Sequence, residues 1–202
     1  MGTKYGGWSF LPQFLNKNSI VYLVGIGTDI SFDLEVIRIV GCDVHGFDPT
    51  PNASAWIAKQ SLPLQYRYHA VGLAAKDGFA EFLVPELEGW DSFGTVSNDT
   101  PDDRIVQCQV KRLSTIVEDL DHRHIDLLKI DIEGFEYEVI DDMLEGGPLP
   151  DQMLIEFHHG MYEHSTAETL RSVSAIRAKG YTLVSVSNVG REYSFVRTAL
   201  LT

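Results

Sequence analysis

Short apolar runs alternate along this chain with longer segments of mixed character. Ile20–Val24 is continuously apolar and stops at a glycine, which reads as a strand covered on both faces, the habit of a parallel sheet. Beyond it Ile30, Leu34, Ile37 and Val40 recur at helical spacing and Gly41 supplies a stop, so a helix is predicted up to Val40. The alternation continues with a strand over Asp43–Phe47 and a helix over Asn52–Gln60, with Pro51 at its entrance. A third strand is predicted over Tyr66–Leu73 and an added strand over Phe79–Val84. Pro85–Asp103 turns to Pro, Gly, Asp, Ser, Asn and Thr, a long polar loop of the kind that often carries function. Strands then read over Ile105–Val110, Asp126–Ile130 and Met153–Phe157, with helices over Leu113–Leu120, to about Leu144, and over Ala167–Lys179. Tyr181–Val186 and Glu192–Val196 form an antiparallel pair around Asn188–Gly190.

Strands alternating with helices predict a doubly wound α/β fold with a mostly parallel sheet and right-handed crossovers. The closing hairpin places an antiparallel strand at one edge. Residues 1–202 read as one domain, with 1–18 as an N-terminal segment. Ligands of such sheets bind beyond the C-terminal strand ends, near the point where the strand order reverses. That rule directs attention to a few loops.

Composition narrows the function classes. A hydrophobic content of 44% is enough for a sizeable core and excludes a disordered chain. The formal charge of −13 repels phosphate backbones, so a nucleic-acid partner is not expected. No apolar run is long enough for a membrane span, and the N-terminus lacks the apolar centre of a signal peptide. The expectation is a soluble domain, cytoplasmic if the chain is complete, of unspecified oligomeric state. Cys42 and Cys108 match no zinc spacing and read as buried free thiols.

The first strand ends in Gly25-Ile26-Gly27-Thr28-Asp29, where glycines permit a tight turn and close approach of backbone to a ligand. Ile30 stands where a dinucleotide fingerprint would have its third glycine, which counts against NAD. The second strand ends in Phe47-Asp48-Pro49, with Asp48 placed 21 residues after Gly27, where an acid can accept from ribose hydroxyls. Together these point to an adenosine-type ligand, whose adenine would rest near the third strand end, around His69–Leu73.

Asp126–Ile140, reading Asp-Leu-Leu-Lys-Ile-Asp-Ile-Glu-Gly-Phe-Glu-Tyr-Glu-Val-Ile, resembles the signature of FkbM-type methyltransferases. Gly25–Asp33, Phe47–Pro51, Ala70–Leu73 and Ile155–His159 are similar to the methyltransferase-like branch of that family, and the resemblance runs from about Lys4 to Arg197. It implies a Rossmann-like class I methyltransferase fold, S-adenosylmethionine as donor, and often a hydroxyl as acceptor. Gly25, Gly27 and Asp48 fall on the family's cofactor positions, and Asp131 at the strand end facing the sulfonium and the acceptor. The candidate cofactor set is thus Gly25, Ile26, Gly27, Asp29, Asp48, Pro49, Val71, Gly72 and Asp131. Leu23 stands where many class I enzymes carry an acid, and Asp29 is the substitute.

A hydroxyl acceptor gains from a general base or a metal that lowers its pKa. Asp131, Glu133, Glu156, His158 and His159 lie at predicted C-terminal strand ends, and Asp131, Glu133 and His158 form the candidate catalytic set. Asp131 and Glu133, two apart, are expected to point the same way. The adjacent His158 and His159 point differently, so one of them reaches the pocket. A carboxylate-plus-histidine set also suits Mg²⁺ or Mn²⁺, although no metal ligand is assigned. Tyr5 and Trp8 are candidates for a lid, and Trp90 in the polar loop for an acceptor contact. The leading reading is O-methylation of a small molecule, glycan or lipid-linked compound. A non-catalytic S-adenosylmethionine-binding module, an NAD-dependent oxidoreductase and a metal hydrolase on Glu156, His158 and His159 are the competitors.

Overall fold

The computed structural model describes residues 7–83, 94–95 and 104–202. The strands and helices in chain order are β1 (Ile20–Val24), α1 (Ser31–Val40), β2 (Asp43–Phe47), α2 (Pro51–Ile57), β3 (Tyr66–His69), β4 (Gly72–Leu73), β5 (Gly78–Leu83), β6 (Gly94–Thr95), β7 (Ile105–Lys111), α3 (Leu113–Asp119), β8 (Leu127–Ile130), α4 (Glu136–Gly146), β9 (Gln152–Glu156), α5 (Thr166–Ala178), β10 (Tyr181–Val186) and β11 (Glu192–Arg197). Seven of the strands form one sheet in the order β10-β11-β9-β8-β1-β2-β3. β1 pairs in parallel with both β2 and β8, so the order reverses there and the crevice opens above Val24 and Ile130.

Alternation along β1 shows how the sequence builds two cores. Val21 and Leu23 face a layer with Val36 and Ile37 of α1, Ala53 and Ile57 of α2, and Trp8 and Phe10 of the N-terminal segment. Tyr22 and Val24 face the opposite layer, with Ile116 of α3, Ile140 and Met143 of α4, and Ile176 of α5. Each fully buried aliphatic chain here contributes about 1.5–3 kcal/mol relative to exposure. α5 opens with a reciprocal cap between Ser165 and Glu168. Cys42 and Cys108 are free and buried.

Two expectations are corrected. The third strand divides after His69: β3 stays in the main sheet, while β4 joins β5, β6 and β7 in a second sheet of order β4-β7-β5-β6. Past the bend Gly72 passes close to Pro49, where a Cβ would lie 2.9 Å from the proline Cγ. The antiparallel strand is not at the edge either. β11 sits between β9 and β10 and runs antiparallel to both, leaving β10 outermost. Burial decides this order, since Phe195 and Val196 of β11 are buried whereas Val184 and Val186 of β10 are exposed. Of the predicted polar loop, only Gly94–Thr95 and Leu83 beside it fall in described strands; Trp90 and Tyr5 lie outside the described residues. Among the described residues, no helix is long and apolar enough to cross a membrane.

On the α3 side, rings from Tyr22, His45, Phe47, His69 and His122 stack and tilt against one another, with His45 Nδ1 3.0 Å from His69 Nε2 and Tyr22 Oη 2.6 Å from His122 Nδ1. Burial, then the nearby His122 and His69, hold His45 down at about 4, and burial also lowers His69 and His122. The folded chain therefore prefers neutral rings. Their stabilisation is complete above the ordinary histidine pKa of about 6.5 and is lost as pH falls towards the folded values. Between about pH 7.5 and about pH 5 the melting temperature of the chain should drop more steeply than that of His45→Gln. Equal slopes would contradict this account.

Candidate functional site

The β1–α1 turn is built on a close approach. Gly25 has φ +77° and a Cβ there would lie 1.6 Å from the Asp131 carbonyl oxygen, so only glycine fits. Its N–H donates to the Phe47 carbonyl at 2.9 Å, locking the turn to the end of β2. Gly27, with φ +51°, donates its N–H to Asp48 Oδ2 at 3.0 Å. Asp48 Oδ1 accepts from Thr50 N at 2.9 Å and Thr50 Oγ1 at 2.6 Å. Asp48 is 5% exposed, and burial raises its pKa against the pull of those hydrogen bonds. Of the roughly four acceptor positions on a carboxylate, three are in use. Ile26 turns its side chain into the α1-side core and leaves only backbone at the crevice. Asp29 Oδ1 accepts from Ser31 N at 2.8 Å, an Asx-type turn just ahead of α1, whose N-cap Ile30 makes no side-chain cap. Pro49 and Gly72 form a wall, and next to it Val71 lines a cavity of about 190 Å³ with Phe47, His69, Lys111 and three residues on and just after α3.

On the other side of the switch point stands Lys129, 8% exposed within β8. Its Nζ donates to the Gly25 carbonyl at 2.8 Å and pairs with Asp131 Oδ2 at 3.1 Å. The Trp8 ring lies 5.4 Å from the same Nζ, so Trp8 is a buried wall of this region.

Beyond Asp131 the chain turns through Glu133 and Gly134, both at positive φ, into α4. That turn and the end of β9 bring four carboxylates around one imidazole. His158 Nε2 is 3.3 Å from Glu133 Oε2, 3.9 Å from Glu156 Oε1 and 4.0 Å from Asp131 Oδ1. Its Nδ1 lies 3.2 Å from Glu136 Oε1, which also accepts the His158 backbone N–H at 2.8 Å. Glu136 is fully buried, and its other oxygen accepts from Gly134 N at 2.9 Å. Glu133 Oε2 also accepts from the Tyr162 hydroxyl at 2.7 Å. Burial opposes a charge on His158, but Glu136, with Glu133 and Asp131, outweighs it and holds the ring up at about 9. Burial, then the Asp131 charge, push Glu156 up to about 8.

Sequence reasoning placed Asp131, Glu133, Glu156 and His158 together, and the structure gathers all four. His159 faces away, with Nδ1 3.3 Å from Thr169 Oγ1 on α5, which removes it from the hydrolase triad. The carboxylates around His158 favour its imidazolium form. Lys129, Glu136 and Tyr162 were missed. A lone lysine inside the apolar run Leu127–Ile130 was the signal for the first. Glu136 looked like an ordinary acid in the first turn of a helix.

The sheet order, the glycine turn against β8 and the acid ending β2 define a Rossmann-like class I methyltransferase fold. The family model for the methyltransferase FkbM domain matches residues 20–183, and the chain belongs to that family. Probable methyltransferase-like protein 24 from Homo sapiens and from Rattus norvegicus are 24% and 23% identical over 148 residues, covering 72% of this chain and 34% of theirs. The chain thus spans about a third of the length of the curated relatives it matches. Among solved structures, the fibrillarin pre-rRNA processing protein of Methanococcus jannaschii aligns with a TM-score of 0.56 at 7% identity, over 95% of this chain and 71% of that one. Aeropyrum pernix fibrillarin, solved with natively bound S-adenosyl-L-methionine, aligns with a TM-score of 0.50 at 12% identity, over 95% and 70%. At such identities the likeness is one of fold. Fold and family are those of S-adenosylmethionine-dependent methyltransferases.

Proposed function

We propose that this chain is an S-adenosylmethionine-dependent O-methyltransferase acting on a hydroxyl of a small molecule, glycan or lipid-linked acceptor. One observation carries the reading. Asp131 closes its backbone against Gly25 in the nucleotide turn and presents its carboxylate to His158, so a single residue joins a donor cradle to a proton-handling cluster.

The residues fit the donor. Gly25 lets the β1–α1 turn close against Asp131, Asp48 has an acceptor position for a ribose hydroxyl, and Pro49, Val71 and Gly72 offer an apolar wall for adenine. When bound, the donor supplies a methyl group already activated on sulfonium. The protein then has to position the acceptor and manage its proton. Lys129 fixes Asp131 through Oδ2, and Oδ1 is left to take the hydroxyl proton. Glu133 and Glu136 anchor His158, whose charge steadies Asp131 as the carboxylate. An amine acceptor would need less of this machinery. The −13 charge supports an acceptor other than nucleic acid.

Incubating the chain with methyl-tritiated donor and a panel of hydroxylated metabolites, glycosides and glycolipids tests the reading. Label should appear in base-stable methyl ethers. Label confined to nitrogen, or to base-labile esters, would contradict it.

A further inference from the structure

We propose that Asp131, Glu156 and His158 form a divalent-cation site of the Mn²⁺ or Mg²⁺ type at the ends of β8 and β9. One ligand atom from each lies within 4.8 Å of the others. His158 Nε2 is 4.0 Å from Asp131 Oδ1 and 3.9 Å from Glu156 Oε1. Bonds of about 2.1 Å around an octahedral ion set ligand atoms roughly 3 Å apart when adjacent and roughly 4.2 Å apart when opposite. The three groups therefore stand close to a ligating arrangement, and small side-chain rotations complete it.

The surroundings of His158 point the same way. The ring is 2% exposed, a buried imidazole aimed into the cluster by Nε2. Its Nδ1 faces the fully buried Glu136, which Gly134 N and His158 N hold in place. A carboxylate behind the far ring nitrogen is the arrangement that orients ligand histidines and fixes their tautomer. Lys129 takes Asp131 Oδ2, so Oδ1 is the oxygen turned towards the ion, and with the ion bound it would serve as a ligand and no longer as the base for the acceptor proton. Glu133 Oε2 lies 3.3 Å from Nε2 and is held by the Tyr162 hydroxyl, so it is the contact that Nε2 exchanges for the ion. Ligation uses the neutral ring, so an ion entering the cluster would displace the Nε2 proton of His158 and take its place among the surrounding carboxylates. Two carboxylates and one imidazole favour an oxygen-preferring ion over a thiophilic one. An acceptor hydroxyl bound to that ion would lose its proton more readily, a consequence that rests on the methyl-transfer reading.

The test uses Mn²⁺ alone, with neither donor nor acceptor present, so the loss of donor binding would leave it intact. Electron paramagnetic resonance should show one bound Mn²⁺ per chain. Spin-echo modulation should show a histidine nitrogen that changes when the unmutated chain is made with ¹⁵N-histidine. Glu156→Gln and His158→Gln should weaken binding at least about tenfold, and His158→Gln should remove the nitrogen signal. His124→Gln should change nothing. His124 belongs to a second group, with Asp126 and Asp151, at the N-terminal ends of the strands. No bound Mn²⁺, bound Mn²⁺ without histidine coupling, or coupling lost in His124→Gln would each overturn the assignment.

Discussion

Replacing Gly25 by alanine is expected to cost about 2–5 kcal/mol of folding stability, from overpacking and a left-handed backbone together. The new methyl would sit 1.6 Å from the Asp131 carbonyl oxygen, and that oxygen cannot easily move. Asp131 N donates to Val24 O at 3.3 Å and Gly25 N to Phe47 O at 2.9 Å, so both partners are tied to the sheet. The φ of +77° adds its own penalty for a residue with a Cβ. Gly41→Ala is the matched comparison. Its φ is +74°, yet a Cβ there meets nothing within 4 Å, so it should lose only the backbone part, about 1–2 kcal/mol. Urea unfolding of both variants gives the difference. Equal losses would mean that β1 and β8 do not approach each other as closely as described.

The second large effect concerns the donor. Asp48→Ala should weaken S-adenosylmethionine binding by about 2–3 kcal/mol, roughly 30- to 150-fold, through lost hydrogen bonds to a charged group. Part of that loss is indirect. The same carboxylate holds Gly27 N and both polar groups of Thr50, so its removal also loosens the cradle. Asp48→Asn keeps the side-chain volume but turns its amide NH₂ towards either Gly27 N or Thr50 N, both donors, so it too should lose about 1–3 kcal/mol of folding stability along with affinity.

The parts of the fold that could be read from the sequence are those whose burial leaves a one-dimensional trace. β1, β8 and β9 are covered on both faces, and their runs of Val, Ile and Leu announce strands of a parallel sheet. Asp48 and Asp131 were visible because a polar residue directly after such a run must lie at a strand end. The split between β3 and β4 was not visible, because Tyr66–Leu73 keeps its strand-like composition across the bend while β4 pairs with β7, far along the chain. The position of β11 depends on long-range pairing with β9, which no local pattern encodes. In the site, the acids were legible as types but not as partners. Glu136 and Lys129 act through contacts with His158 and Gly25, more than twenty and more than one hundred positions away.

Titration calorimetry of the purified chain with S-adenosylmethionine, S-adenosylhomocysteine and NAD, run beside Asp48→Ala, tests the central claim most directly. The account predicts binding of both adenosyl compounds, no binding of NAD, and a loss of affinity in the variant. Binding of NAD, or adenosyl binding that Asp48→Ala leaves unchanged, would contradict it.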